Sequence, residues 1–260
     1  MPEEIERWTT TLPELTVLTA NVGNGQAPDE RLIAAILASK ADTVGLQELN
    51  QRQAEVLRER LADVYPERFS FADSYEGKAI LSRYPVLAAW PMSLVPDRPD
   101  CAARIDLDGR EITVIVAHPR PPRIRRRGII FDRQSQRHIV QLGRLAREAA
   151  PSIMLGDFNM TPRHPAHFRF LRLGLHDAFG KVGLTRGATF PFRLGAVTAI
   201  GAPGQAGYPM SRMRLPPIVR YDYVWHTPEF ESVGAWIGPD TGSDHLPVLA
   251  RLRLRSAGSE

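Results

Sequence analysis

The sequence predicts an α/β fold, α+β in some schemes, and three observations carry that reading. Short β-rich runs alternate with runs of helical period along the chain. Polar residues gather directly after several apolar runs, where strand ends in packed α/β sheets present ligand-binding groups. The 260 residues, 43% hydrophobic and 24% charged, suit one large domain with a sizeable core.

The elements follow in order. Residues 14–20 (ELTVLTA) alternate and are rich in β-formers, which predicts a strand. Pro28-Asp29-Glu30 then opens a run with Leu32, Ile33, Ile36 and Leu37 at helical spacing. Residues 42–47 read as a short buried strand, and residues 51–61 as a helix with Val56, Leu57 and Leu61 on one face. Residues 78–82, 86–94, 101–107 and 111–117 read as successive strands, the last two joined at the Asp108-Gly109 turn. A helix is expected over residues 135–149, a buried strand over 152–155 and a helix over 165–173. Strands over residues 219–225, 231–237 and 246–254 close the chain. Residues 119–131 and 198–217, rich in Pro or Gly, read as loops. The expected organisation is one domain over residues 14–255 between tails at 1–13 and 256–260.

Composition narrows the function classes. The single cysteine, Cys101, excludes an internal disulfide and a cysteine-built zinc site, and fits a reducing compartment. No apolar run approaches a membrane span, and the acidic start lacks the basic-then-apolar order of a secretory signal, so a cytoplasmic monomer is expected. The net charge is +4, and 30 of the 33 basic residues are arginine. Arginine matches phosphate through its planar fork, but arginine-rich codon usage gives the same composition, and a nucleic-acid footprint needs clustered charge.

The polar residues after the apolar runs carry the chemistry. Glu48 follows Val44-Gly45-Leu46-Gln47 and is a ready ligand for a hard cation. Asn21 follows Leu18-Thr19-Ala20; its amide suits a metal, a phosphate or simply a turn. His118 ends Val114-Ile115-Val116-Ala117 and can donate to a phosphoryl oxygen or a leaving group. Asp157-Phe158-Asn159 places a carboxylate and an amide on one side of a strand end, a pairing suited to activating water beside a phosphate. Asp222 lies within an apolar strand and needs a partner, for which His245 is the candidate. Asp244-His245 stands at the mouth of the last strand, where neighbouring side chains are expected to face apart and hold different partners. No serine or cysteine nucleophile accompanies the set, so direct attack by water is expected.

The ordered motifs Thr19-Ala20-Asn21, Leu46-Gln47-Glu48-Leu49, Ala79-Ile80-Leu81-Ser82-Arg83-Tyr84-Pro85, His118, Gly156-Asp157-Phe158-Asn159, Asp222-Tyr223 and Ser243-Asp244-His245 resemble the endonuclease/exonuclease/phosphatase superfamily over nearly the whole chain. The resemblance implies a four-layered α/β/β/α sandwich with two central mixed β-sheets. It implies a metal-dependent hydrolase of phosphoesters with Mg²⁺ as cofactor and Mn²⁺ as a substitute. Asn21, Glu48 and Asp244 would then hold the metal. Asp157 would align or deprotonate the water, Asn159 would hold the phosphate, and His245, supported by Asp222, would act at the phosphoryl centre. His118 would assist the leaving group or stabilise the pentavalent oxygen, with Glu76 as its candidate carboxylate partner.

Family substrates span nucleic acids, phospholipids and inositol phosphates. A basic loop beside His118, with Arg120, Arg123, Arg125, Arg126, Arg127 and Arg133, can track a nucleic-acid backbone or lie on an anionic surface. Interleaved Ile124, Ile129, Ile130 and Phe131 suit a membrane surface better than base stacking. The alternative class is a catalytically silent member that binds phosphate-bearing ligands or nucleic acid on the same fold.

Overall fold

A computed structural model describes residues 12–72, 77–96, 98–125, 128–130, 133–193 and 214–256, with backbone alone over 123–125 and 128–130. The chain runs β1 (Glu14–Asn21), α1 (Asp29–Ser39), β2 (Thr43–Gln47), α2 (Gln51–Arg60), β3 (Glu67–Phe71), β4 (Lys78–Ser82), β5 (Val86–Met92), β6 (Asp100–Leu107) and β7 (Arg110–Ala117). It continues through β8 (Arg123–Arg125), β9 (Gly128–Ile130), α3 (Arg133–Glu148), β10 (Ser152–Asp157), α4 (Pro165–Arg172), β11 (His176–Asp177), α5 (Ala178–Val182), β12 (Asp222–His226), β13 (Phe230–Ile237) and β14 (Val248–Leu254).

Two six-stranded mixed sheets form the centre, ordered β13-β14-β1-β2-β4-β3 and β11-β12-β10-β7-β6-β5. Each has one parallel pair at its middle, β1 with β2 and β7 with β10, and antiparallel pairs outside it. This is the mixed-sheet sandwich expected from the sequence. The sheets stack face to face, and period-two alternation builds three cores. Leu15, Val17, Val114, Val116, Ile153, Leu155 and Val224 fill the gap between the sheets. On one outer face Leu18, Ala20, Val44 and Leu46 meet Leu32, Ile33 and Ile36 of α1 and Leu57 of α2. On the other, Ile115, Met154, Tyr223 and Trp225 meet Ile139, Leu142 and Ala146 of α3 and Phe170 of α4.

Gly45 of β2 faces β7 and β10 of the other sheet. A Cβ there would meet Val116 Cγ2 at 2.7 Å and Leu155 Cδ1 at 2.9 Å, so only glycine permits this approach. Among the described residues, no helix is long and apolar enough to cross a membrane.

Several elements differ from the sequence reading. The Pro-rich segment after His118 contains a short antiparallel pair, β8 with β9, instead of an unbroken loop. Strand β14 starts at Val248, after Pro247, which lacks the N–H that a ladder needs. Asp244 and His245 therefore sit in a bend and not at a strand mouth, so the pleat does not set their directions. Glu76, Arg126, Arg127, Phe131 and most of the loop expected at 198–217 lie outside the described residues.

Candidate active site

The inward alternation that fills the gap between the sheets also delivers the polar residues. Val17 and Thr19 precede Asn21 on β1; Val114 and Val116 precede His118; Ile153 and Leu155 precede Asp157. Each polar group continues an apolar inner row at the C-terminal end of a central strand. On β12, antiparallel to β10, Asp222 pairs in register with Asp157, and Val224 continues the same inner row. Glu48 follows β2 in a left-handed conformation, φ 54°, as does Asn159 at φ 50°. Non-glycine residues adopt this region at a cost that surrounding contacts must hold, and such positions gather at functional sites.

One oxygen lies at the middle of the cluster. Asp157 Oδ2 accepts from Asn21 Nδ2 at 3.1 Å and lies 3.5 Å from His118 Nε2 and 3.7 Å from His245 Nε2. Its other oxygen accepts from the Asn159 backbone N–H at 2.8 Å. Asn21 Nδ2 also donates to Glu48 Oε1 at 3.0 Å, while Asn21 Oδ1 accepts from the Gly23 N–H at 3.0 Å. The amide thus turns its nitrogen to the two carboxylates and ties them together. His118 Nε2 lies 3.7 Å from Glu48 Oε1 and 3.1 Å from Asn159 Nδ2, which also donates to Pro119 O at 3.1 Å.

His245 Nδ1 meets Asp222 Oδ2 at 2.9 Å, the pairing expected from the sequence. Asp222 Oδ1 is buried and has no hydrogen-bond partner among the described residues. The His245 ring rests against Phe190, centroids 4.7 Å apart. The bend that carries it is pinned: Phe192 N–H donates to Asp244 O at 2.7 Å, and Leu246 N–H to Thr189 O at 3.0 Å.

Burial and charge set the protonation states. Burial pushes the Asp157 carboxyl above the usual range, against the pull of His245; Asp222 adds to the rise. Burial also raises Asp244, and Glu48 pushes in the same direction. His245 is drawn down by burial, but Asp222, Asp157 and Asp244 outweigh it and hold the imidazole well above its ordinary value. The carboxylates of Asp222 and Asp157 thus favour the protonated imidazole of His245. Ligand atoms of Asp157, Asp222 and His245 all lie within 4.8 Å of one another, a grouping able to hold a metal ion. Within the set expected to bind metal, Asn21 donates to Glu48, and Glu48 in turn raises Asp244.

Two supporting groups escaped the sequence reading. Asp100, at the start of β6, accepts from the His118 backbone N–H at 3.2 Å and pairs with the buried His138 of α3 at 2.5 Å. Asp222 was found because it lies within an apolar strand and needs a partner, whereas Asp100 lies one residue before the strand expected at 101–107 and gave no such signal. Asp177 accepts from both Arg220 and His167, and Arg220 also lies over the Tyr223 ring, 4.5 Å from its centroid. This buried cluster anchors the chain two residues before Asp222.

The Endonuclease/Exonuclease/phosphatase family profile matches residues 18–245, most of the chain and all eight site residues. No curated protein sequence matches. Among solved structures, an endonuclease/exonuclease/phosphatase family protein from Bacteroides thetaiotaomicron is similar at TM-score 0.69 and 18% identity, covering 95% of this chain and 100% of that one. The mannosyl-6-phosphatase of Bacteroides thetaiotaomicron VPI-5482 aligns at TM-score 0.67 and 18% identity over 92% of this chain and 99% of that one. Danio rerio TDP2 complexed with a single-strand DNA product aligns at TM-score 0.65 and 17% identity over 92% and 99%. At these identities the likeness concerns the fold.

Proposed function

This chain belongs to the endonuclease/exonuclease/phosphatase family, whose members are phosphoesterases, and we propose that it is a divalent-metal-dependent phosphodiester hydrolase acting by direct attack of water. The observation that carries this reading is the position of Asp157 Oδ2 between the Nε2 atoms of His118 and His245. We take residues 14–255 as one catalytic domain.

The donor set fits a hard cation. Glu48 and Asp244 offer carboxylate oxygens of the kind Mg²⁺ and Mn²⁺ take, Asn21 would join them by turning its amide oxygen from the Gly23 N–H, and burial with the Glu48 charge raises Asp244 despite the adjacent His245. When bound, the ion supplies Lewis-acid stabilisation of phosphoryl oxygens.

The chain's own residues do the rest. Asp157, whose proton affinity burial raises, takes a proton from a water held beside it at the strand ends. Its hydrogen bonds from Asn21 and Asn159 fix the direction of its lone pairs. His245, protonated and held by Asp222, presents a charged donor to a non-bridging phosphoryl oxygen. Asn159 and His118 stand together, 3.1 Å apart, where Asn159 holds the phosphate and His118 assists the departing oxygen. The attack forms the new P–O bond from water and breaks the ester P–O bond, with no covalent intermediate on the enzyme.

The test is hydrolysis of bis-p-nitrophenyl phosphate. Turnover with Mg²⁺ or Mn²⁺ that EDTA abolishes supports the reading, and inversion of configuration at a chiral phosphorus diester supports a single direct attack by water. A trapped phosphoenzyme overturns the mechanism. Phosphate-ligand binding with no turnover under any metal overturns the enzyme assignment.

A further inference from the structure

Helix α3 runs back from the active-site end of β7 to the start of β10, so its N-terminus stands at the rim of the site. Contacts make the connection continuous: Asn159 holds Pro119 O, and Ser135 Oγ of α3 donates to Arg120 O at 3.1 Å. Helix α4 begins from the same rim, a few residues after Asn159. The two helices pack closely at Gly143, where a Cβ would meet the Phe170 ring at 2.7 Å.

Along this helix pair lies a groove of about 440 Å³. Arg133, Arg137, Arg144 and Arg169 line it, with Gln136 and Gln141 between them. All four arginines are exposed, and none of them pairs with a carboxylate among the described residues. No acidic residue lines the groove, and Val140 is its one apolar side chain. From Arg133 to Arg144 the helix rises about 16 Å at 1.5 Å per residue.

We propose that this groove is an exosite for a nucleic-acid strand, which the arginines hold by its phosphates while a diester enters the active site. The inference rests on the phosphodiesterase reading and names the substrate class for it. Charge complementarity selects the occupant. Three guanidinium forks along α3 and a fourth on α4, none paired with a carboxylate among the described residues, match a line of phosphates. A bilayer is the poorer match. An interfacial helix turns a continuous apolar face to the lipid, whereas Ile139, Leu142 and Ala146 of α3 are buried against the sheet and Val140 stands alone in the groove. Phe168 and Leu171 are exposed on α4, two side chains where such a face needs a stripe. A lone small phosphate has no use for a track of this length.

The experiment compares the full-length wild type with the double variant Arg137→Glu, Arg144→Glu. Binding of a fluorescent single-stranded DNA is measured by anisotropy in EDTA from about 50 to 200 mM salt. Neutralising about four phosphates gives a slope of log K against log salt near −3. The double variant is expected to bind at least about tenfold more weakly, with a slope shallower by roughly 1 to 2. Its turnover of bis-p-nitrophenyl phosphate, too small to reach the groove, is expected to stay at the wild-type value. Equal DNA affinity and equal slope in both proteins overturn the exosite. So does arginine-dependent binding to phosphatidylserine vesicles without binding to DNA. Diester turnover without groove-dependent DNA binding removes the exosite alone. Groove-dependent binding without turnover leaves the exosite and removes the hydrolase.

Discussion

Replacing Gly45 by alanine tests the link between sheet packing and the site. The added methyl would stand 2.7 Å from Val116 Cγ2, 2.9 Å from Leu155 Cδ1 and 3.0 Å from Leu155 Cβ. Carbon pairs prefer about 3.5–4.0 Å, so each contact is short by roughly half an ångström or more. Val116 is β-branched and stiff, and both neighbours lie on central strands, so relief comes from parting the sheets. Overpacking of this kind costs about 1–3 kcal/mol. At roughly 2–4 °C per kcal/mol for a chain of this size, the melting temperature is expected to fall by about 2–12 °C. The clash lies two residues before His118 on β7 and two before Asp157 on β10, so diester turnover is expected to fall as well. Calorimetry of G45A, V116A and the double variant measures the effect. Removing the Val116 methyls relieves part of the clash, so the two substitutions are expected to couple by about 1 kcal/mol. A melting temperature within about 1 °C of wild type in G45A, with no coupling, would refute the close-approach reasoning.

Two further outcomes are expected. His226 is buried, with its nitrogens bonded to Thr227 O and Ser232 Oγ, and burial pushes its pKa down to about 4 from 6.5. The unfolded chain thus binds a proton between pH 6.5 and 4 that the native chain refuses, so stability is full above pH 6.5 and lost as pH falls toward 4. The loss is of order 3 kcal/mol, from about 1.4 kcal/mol per pKa unit. Urea melts at pH 7 and pH 4.5 are expected to show a smaller drop in His226→Gln than in wild type; equal drops would count against this assignment. Asp222→Asn removes a charge that holds the His245 proton. NMR titration is expected to place the His245 pKa lower, and turnover to fall about 10²- to 10⁴-fold, steepest at the alkaline end. An unchanged titration would sink the positioning role.

Much of the fold was legible because alternation and helical period were strong. Residues 14–20, 42–47, 111–117 and 152–155 each fell within a strand or one residue of its bounds. Strand β3 was missed because an edge strand with only partly buried residues shows little alternation. Strand β11 and helix α5 are two and five residues long, too short for any period, and the buried Asp177–Arg220 pair ties β11 to the start of β12. Asn21, His118 and Asp157 were legible because each ends an inward-facing apolar row, and Glu48, Asn159, Asp222, Asp244 and His245 because each is a polar residue beside or within an apolar strand run. The partners Asp100 and Phe190 were not, since their contacts with His118 and His245 come from chain crossings that no local spacing records.

The most direct measurement is diester hydrolysis by Asp157→Asn and His245→Asn beside the wild type, with Mg²⁺, on proteins shown to be folded by near-ultraviolet circular dichroism. Loss of turnover by at least about 10²-fold in each variant, with melting behaviour near wild type, is the expected result. Near-wild-type turnover in either would contradict a site centred on the Asp157 carboxylate between the two imidazoles.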